Sequence, residues 1–203
     1  MKILDFFRIF KRKITSKTMK NAYLPLSWDD DYCQIEIVPA ENRESIEKRI
    51  TEVKILADQS REGLGFTEIF EVGQMSITTF SKEILTEPLS QLLTNYKFEK
   101  AESINYVGYK IANCETTSTK AFGFSNFTIF FDTEEEFVKD IWLSINATAS
   151  RTEISREQFK LIKDALYNLG EEYEMVLADW NSLQLIDLSN RNQIDKYLNG
   201  YWK

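Results

Sequence analysis

Apolar and polar residues alternate over 32–38, with Cys33, Ile35 and Ile37 on one side and Gln34 and Glu36 on the other. That period of two predicts a half-buried strand, closed by Pro39. From about 41 to 60 the period becomes helical: Ile46, Ile50, Val53 and Ala57 form one stripe with Leu56 beside it. Gly63 and Gly65 interrupt the chain, and short strands are expected over 66–72 and 75–80. A helix is expected over 87–96. Pro88 suits its first turn, and Leu89, Leu92, Leu93 and Tyr96 share a face.

The middle of the chain is rich in strand patterns. Residues 103–112, 120–124, 127–132 and 137–145 read as four strands, with turns at Ser125-Asn126 and over 133–136. Connections this short imply antiparallel neighbours, with helices on one face of the sheet and the other face partly wet. Farther on, Ser155 and Gln158 have the spacing of a capping box for a helix over 156–169. Phe159, Ile162, Ala165, Leu166 and Leu169 fill its buried stripe, and Gly170 is placed to stop it. Residues 173–179 and 183–188 read as a hairpin around Trp180, Asn181 and Ser182. Ser189 then opens a last helix with Ile194, Tyr197, Leu198 and Tyr201 on one side. The predicted fold class is α+β, a mainly antiparallel sheet made of a central β-meander and a C-terminal β-hairpin, packed by helices. Its 203 residues suit one domain over 21–203 with an N-terminal appendage over 1–20.

Charge separates those two parts. Residues 1–20 carry seven basic side chains against Asp5, a net of +6; the remaining 18 basic and 31 acidic residues leave 21–203 at -13. In the appendage Ile3, Phe6, Phe7, Phe10 and Ile14 cover an arc of about 100° at helical spacing. Lys2, Arg8, Lys11, Arg12 and Lys13 lie on the other side. Three fates compete for this segment: docking on the body, a loosely ordered tail, or contact with an anionic membrane surface through Phe6, Phe7, Phe10, Lys11, Arg12 and Lys13. No apolar run reaches the roughly 18 residues of a membrane span. Asp5 and Arg8 break the pattern of a signal peptide, so a cytoplasmic protein is expected, with the inner membrane face as the alternative site. The acidic body repels phosphate backbones, so no nucleic-acid partner is expected.

Composition closes several routes to chemistry. Histidine is absent, which removes Ser-His-Asp and Cys-His catalysis and histidine-bearing zinc sites. The 7 glycines form no phosphate-binding loop, and Gly63-Leu64-Gly65 lacks the rest of the pattern. Cys33 and Cys114 stand too far apart in sequence for a CxxC motif, and reduced thiols are expected. No cofactor and no metal are expected. Asp29, Asp30 and Asp31 lack the alternate spacing and central glycine of a calcium loop. Glu134, Glu135 and Glu136 fall where a hairpin turn is expected. Both triplets suit solvated acidic turns, and both offer contacts to a cationic partner. Trp142 suits the core, whereas Trp180, at a turn, suits an exposed anchor.

Two stretches carry a family likeness: AFGFSNFTIFFD at 121–132 running into VKDIW at 138–142, and VLADWN at 176–181 followed by LIDL at 185–188 and IDKYL at 194–198. Together they resemble small acidic α+β bacterial proteins of the kind found as immunity proteins beside polymorphic toxins. Such families share no catalytic motif, so the resemblance assigns no residue a role. It implies a rigid scaffold that occludes a toxin. The expected function is therefore non-enzymatic protein binding, possible partners including a basic toxin, with Asp29, Asp30, Asp31, Glu134, Glu135, Glu136 and Trp180 as the contact residues. A peripheral membrane protein held by residues 1–20 and a carboxylate-based hydrolase are the alternatives.

Overall fold

The alternation over 120–145 builds the frame of the molecule. The computed structural model describes residues 23–28, 31, 34–59, 61–62, 65–66, 75–107, 110–146 and 154–202. In chain order the elements are β1 (Leu26–Ser27), β2 (Ile35–Pro39), α1 (Arg43–Gln59), β3 (Arg61–Glu62), β4 (Gly65–Phe66), α2 (Thr86–Asn95), β5 (Glu99–Lys100), β6 (Ser103–Tyr106) and β7 (Lys110–Asn113). There follow β8 (Lys120–Phe124), β9 (Phe127–Glu134), β10 (Phe137–Ile145), α3 (Arg156–Tyr173), β11 (Met175–Asp179), β12 (Gln184–Asp187) and α4 (Arg191–Tyr201).

Seven strands form one antiparallel sheet in the order β12-β11-β2-β10-β9-β8-β5. The fold is α+β, as the pattern predicts. The meander β8-β9-β10 is joined to the β11-β12 hairpin through β2, which lies between β10 and β11: Ile37 stands opposite both Ile141 and Leu177. A smaller sheet has the order β1-β6-β7. On one face of the large sheet Ile37, Phe122, Phe127, Ile129, Phe131, Leu143 and Leu177 pack with apolar residues of α2, α3 and α4 in one core. The other face holds two separate patches. Val38, Val176 and Ala178 meet Ile46 and Ile50 of α1. Ala121, Phe130 and Trp142 meet Ile104 and Cys114 from the small sheet's side, and Phe130 and Trp142 stack 5.5 Å apart.

Four local expectations need correction, and a fifth lies mostly outside the described residues. Residues 75–80 are not a strand: they bend and enter a 3-10 turn at Thr79–Lys82, because Asn42 holds the Ile77 amide and carbonyl with its own side chain and Thr78 caps the turn. Of the expected strand over 66–72, only Phe66 falls among the described residues, in β4. The run over 103–112 is two strands, β6 and β7, which pair with each other and leave the large sheet. Gly170 does not stop α3. The helix runs on to Tyr173, and the missing Cβ lets its last turn sit against the Leu188 backbone, whose carbonyl oxygen would lie 2.5 Å from a Cβ there. The cap of α4 is Asn190, whose side chain accepts from the Asn192 and Gln193 amides; the Ser189 hydroxyl instead donates to Asp187. The capping box of α3 is present in both halves, Ser155 to Gln158 and back.

Candidate functional site

The β9–β10 hairpin carries the densest exposed acid. Glu134, Glu135 and Glu136 are all exposed at its tip, and Glu135 adopts the left-handed conformation that the tight turn needs. Lys139 lies 3.6 Å from Glu134, an ion pair exposed enough to leave the tip's charge largely in the solvent. The Glu136 carbonyl accepts from the Thr86 amide, which ties the tip to the start of α2.

The other predicted acids are placed differently. Asp31 is only 7% exposed, and its Oδ2 accepts from the Trp28 amide at 2.9 Å. It closes a turn rather than standing in solvent. Asp29 and Asp30 lie outside the described residues, as do Phe6, Phe7, Phe10, Lys11, Arg12 and Lys13. Trp180 is half-buried over the Val38 and Val176 patch, and its Nε1 donates to Glu36 Oε2 at 2.6 Å. Its one polar atom is used within the fold.

The wet strip between the two patches collects acids that no local pattern groups. Glu36 stands opposite Trp142, and Asp140 opposite Asp132. Burial raises the Glu36 carboxyl, the Trp180 hydrogen bond opposes this, and the charge of Asp140 adds to it. Partial desolvation raises Asp140, Lys139 opposes, and Asp132 adds. Asp132 accepts from the Thr119 hydroxyl at 2.6 Å. These are the acids that hydrolytic chemistry would draw on, but they line neither of the two cavities described next. Among the described residues no three acidic or thiol side chains converge in a way that holds a metal ion.

One cavity, of about 680 Å³, is lined by Lys100, Lys120, Glu102, Glu115 and Cys114 among others. Lys120 Nζ is committed to the Cys114 and Thr117 carbonyls, and burial pushes the Cys114 thiol up. The second cavity, of about 720 Å³, lies between the 23–28 segment, the Ser125-Asn126 turn and the end of β10. Among the described residues its charged lining residues are Asp31 and Glu99, both acidic. Its outer wall carries Leu24, Leu26 and Trp28, exposed by 42%, 52% and 57%. The sequence pattern predicts no element over 21–31, so this wall is not foreseen. The available signal is the alternation of Leu24, Leu26 and Trp28 with Pro25 and Ser27, a period of two in a short segment.

Comparison with protein-family models, with curated proteins and with solved structures finds no match for this chain. Among the described residues no helix is long and apolar enough to cross a membrane.

Proposed function

We propose that this chain is a non-enzymatic protein-binding protein of the immunity type, which neutralises a basic toxin by occluding it with an acidic surface. The observation that carries this reading is the exposed Glu134, Glu135 and Glu136 tip on a rigid hairpin, on a body whose net charge over 21–203 is -13. Charge of one sign on a fixed scaffold accelerates capture of an oppositely charged protein and demands no chemistry of its own. The test is co-expression of the chain with reading frames adjacent to its gene in a host that those frames poison. Protection by the chain, with complex formation that weakens as salt rises, supports the reading. Growth arrest unrelieved in every pairing, with no complex formed, overturns it.

The basic, phenylalanine-rich pattern of residues 1–20 favours a second reading, attachment to an anionic membrane surface. Flotation with vesicles containing phosphatidylserine tests it on the full chain against Lys11→Glu/Arg12→Glu/Lys13→Glu. Equal flotation of the two removes it.

A further inference from the structure

The segment 23–28 is extended and fastened at both ends. Tyr23 Oη and Thr128 Oγ1 share a hydrogen bond at 2.5 Å, and the Trp28 amide is held by Asp31. Between these points β1 pairs in parallel with β6: the Asn105 amide donates to Pro25 O at 2.9 Å and the Val107 amide to Ser27 O at 3.0 Å. Backbone groups alternate sides along a strand, so the Leu26 N–H and C=O face away from β6. Among the described residues β1 has no partner on that outer side. Pro25 does not blunt this edge, because its missing N–H belongs to the β6 side. Leu24, Leu26 and Trp28 stand exposed on the same segment, above a cavity whose charged lining, among the described residues, is acidic.

We propose that the outer edge of β1 is a docking site for an extended segment of the partner protein. The segment adds as a strand beside β1, lays apolar side chains against Leu24, Leu26 and Trp28, and turns a Lys or Arg side chain toward the exposed Glu99. The occupant follows from two features: an open backbone edge recognises an extended chain, and an acidic lining selects a cation. An edge fastened at both ends binds with little ordering cost. This site deepens the occlusion reading and rests on it.

The probe is an eight-residue peptide of alternating valine and lysine, compared with its valine–glutamate counterpart. The full chain is followed by amide hydrogen exchange and by titration. The expected result is slowed exchange at the Leu26 amide with the lysine peptide alone. Affinity falls at least tenfold in Trp28→Ala and in Leu26→Pro, and about threefold in Glu99→Gln. Trp28→Ala removes an exposed side chain, so its denaturation midpoint should match the parent; it keeps the test valid if Leu26→Pro fails to fold. Equal binding by parent and Trp28→Ala, or no binding of the lysine peptide, overturns the site. So does a concentration-dependent dimer that protects the Leu26 amide without peptide, because the occupant is then a second copy. If the parent and Trp28→Ala protect growth equally in the co-expression assay, this site is removed while the occlusion reading stands. If the parent gives no protection, the reading itself falls.

Discussion

On the helix-covered face of the large sheet, Phe127, Ile129, Phe131 and Leu143 meet α2, α3 and α4 with almost no surface left to water. On the opposite face the same strands present Thr128, Asp132, Asp140 and Ser144, and apolar cover comes in two unconnected patches. One alternating pattern thus serves two purposes. The first face concentrates apolar burial, the main favourable term in folding. The second holds partly desolvated acids in its middle and, at the β1 edge of the small sheet, exposed apolar side chains. Substitutions on the first face should therefore read out as stability, and those around the second as charge and binding.

The strongest test of that division is Trp202→Ala. Trp202 is fully buried, packs edge-on against Phe127 and Phe159, and donates from Nε1 to Asn146 O at 3.3 Å. Its loss should cost about 3–5 kcal/mol, read from the chemical denaturation midpoint; a cost below about 1 kcal/mol would mean that the helix-covered core is not the seat of stability.

Asp179→Ala comes next. Asp179 is fully buried at the end of β11. Its Oδ2 accepts from the Tyr197 and Tyr201 hydroxyls, at 3.0 and 2.6 Å, and its Oδ1 from the Asn181 and Ser182 amides. One carboxylate thus joins α4 to the β11–β12 turn. Burial drives both tyrosine hydroxyls above their ordinary range, so they remain protonated donors. Removing the acceptor leaves buried donors unmatched and should cost about 3 kcal/mol. Asp179→Asn, which keeps one acceptor oxygen, should recover part of it.

Across the sheet the sign reverses. Glu36 is raised by burial, so the folded state holds its proton more tightly than the unfolded chain, whose carboxyl titrates near about 4.3. Its contribution to stability therefore falls as pH rises from the unfolded value through the folded one. Glu36→Gln keeps an oxygen for Trp180 Nε1 and removes the charge beside Asp140. It should raise the stability of the protein at pH 7. The gain should close as pH drops below about 4, and thermal unfolding across that range measures both. A loss of stability at pH 7 would show that the acidic strip is not held against a desolvation cost.

Glu157→Gln should have the smallest effect. Lys97 Nζ lies 2.7 Å from Glu157 and holds its carboxyl below the usual range, but both side chains are two-thirds exposed. The denaturation midpoint should not move measurably, at low or high salt. A clear shift would mean that surface charge takes part in stability after all.

Much of the frame is legible in the residues. The strands over 120–124 and 137–145 have the predicted bounds, because each is rich in aromatic or β-branched residues and borders a short turn, although the register of β10 shifts between Val138 and Asp140. The Ser155 and Gln158 box marks the start of α3 because both its hydrogen bonds span three residues. The site is less legible. Trp180 reads as an exposed anchor only until β2, 144 positions away in sequence, brings Glu36 to its indole. Gly170 has the look of a helix stop, since nothing near it in sequence announces that Leu188 will press on that turn. The 23–28 edge is hidden by its length, too short for a periodicity to stand out.

The sequence by itself determined the type of most elements, the charge imbalance between residues 1–20 and the rest, and the absence of histidine chemistry. These depend on composition or on contacts within a few residues. Tertiary structure alone decided that β2 inserts between β10 and β11, that Glu36, Asp132 and Asp140 share one strip, and that Leu24, Leu26 and Trp28 remain uncovered. Each of these depends on which distant surface is buried against which, and that is settled by the free energy of the whole packed chain.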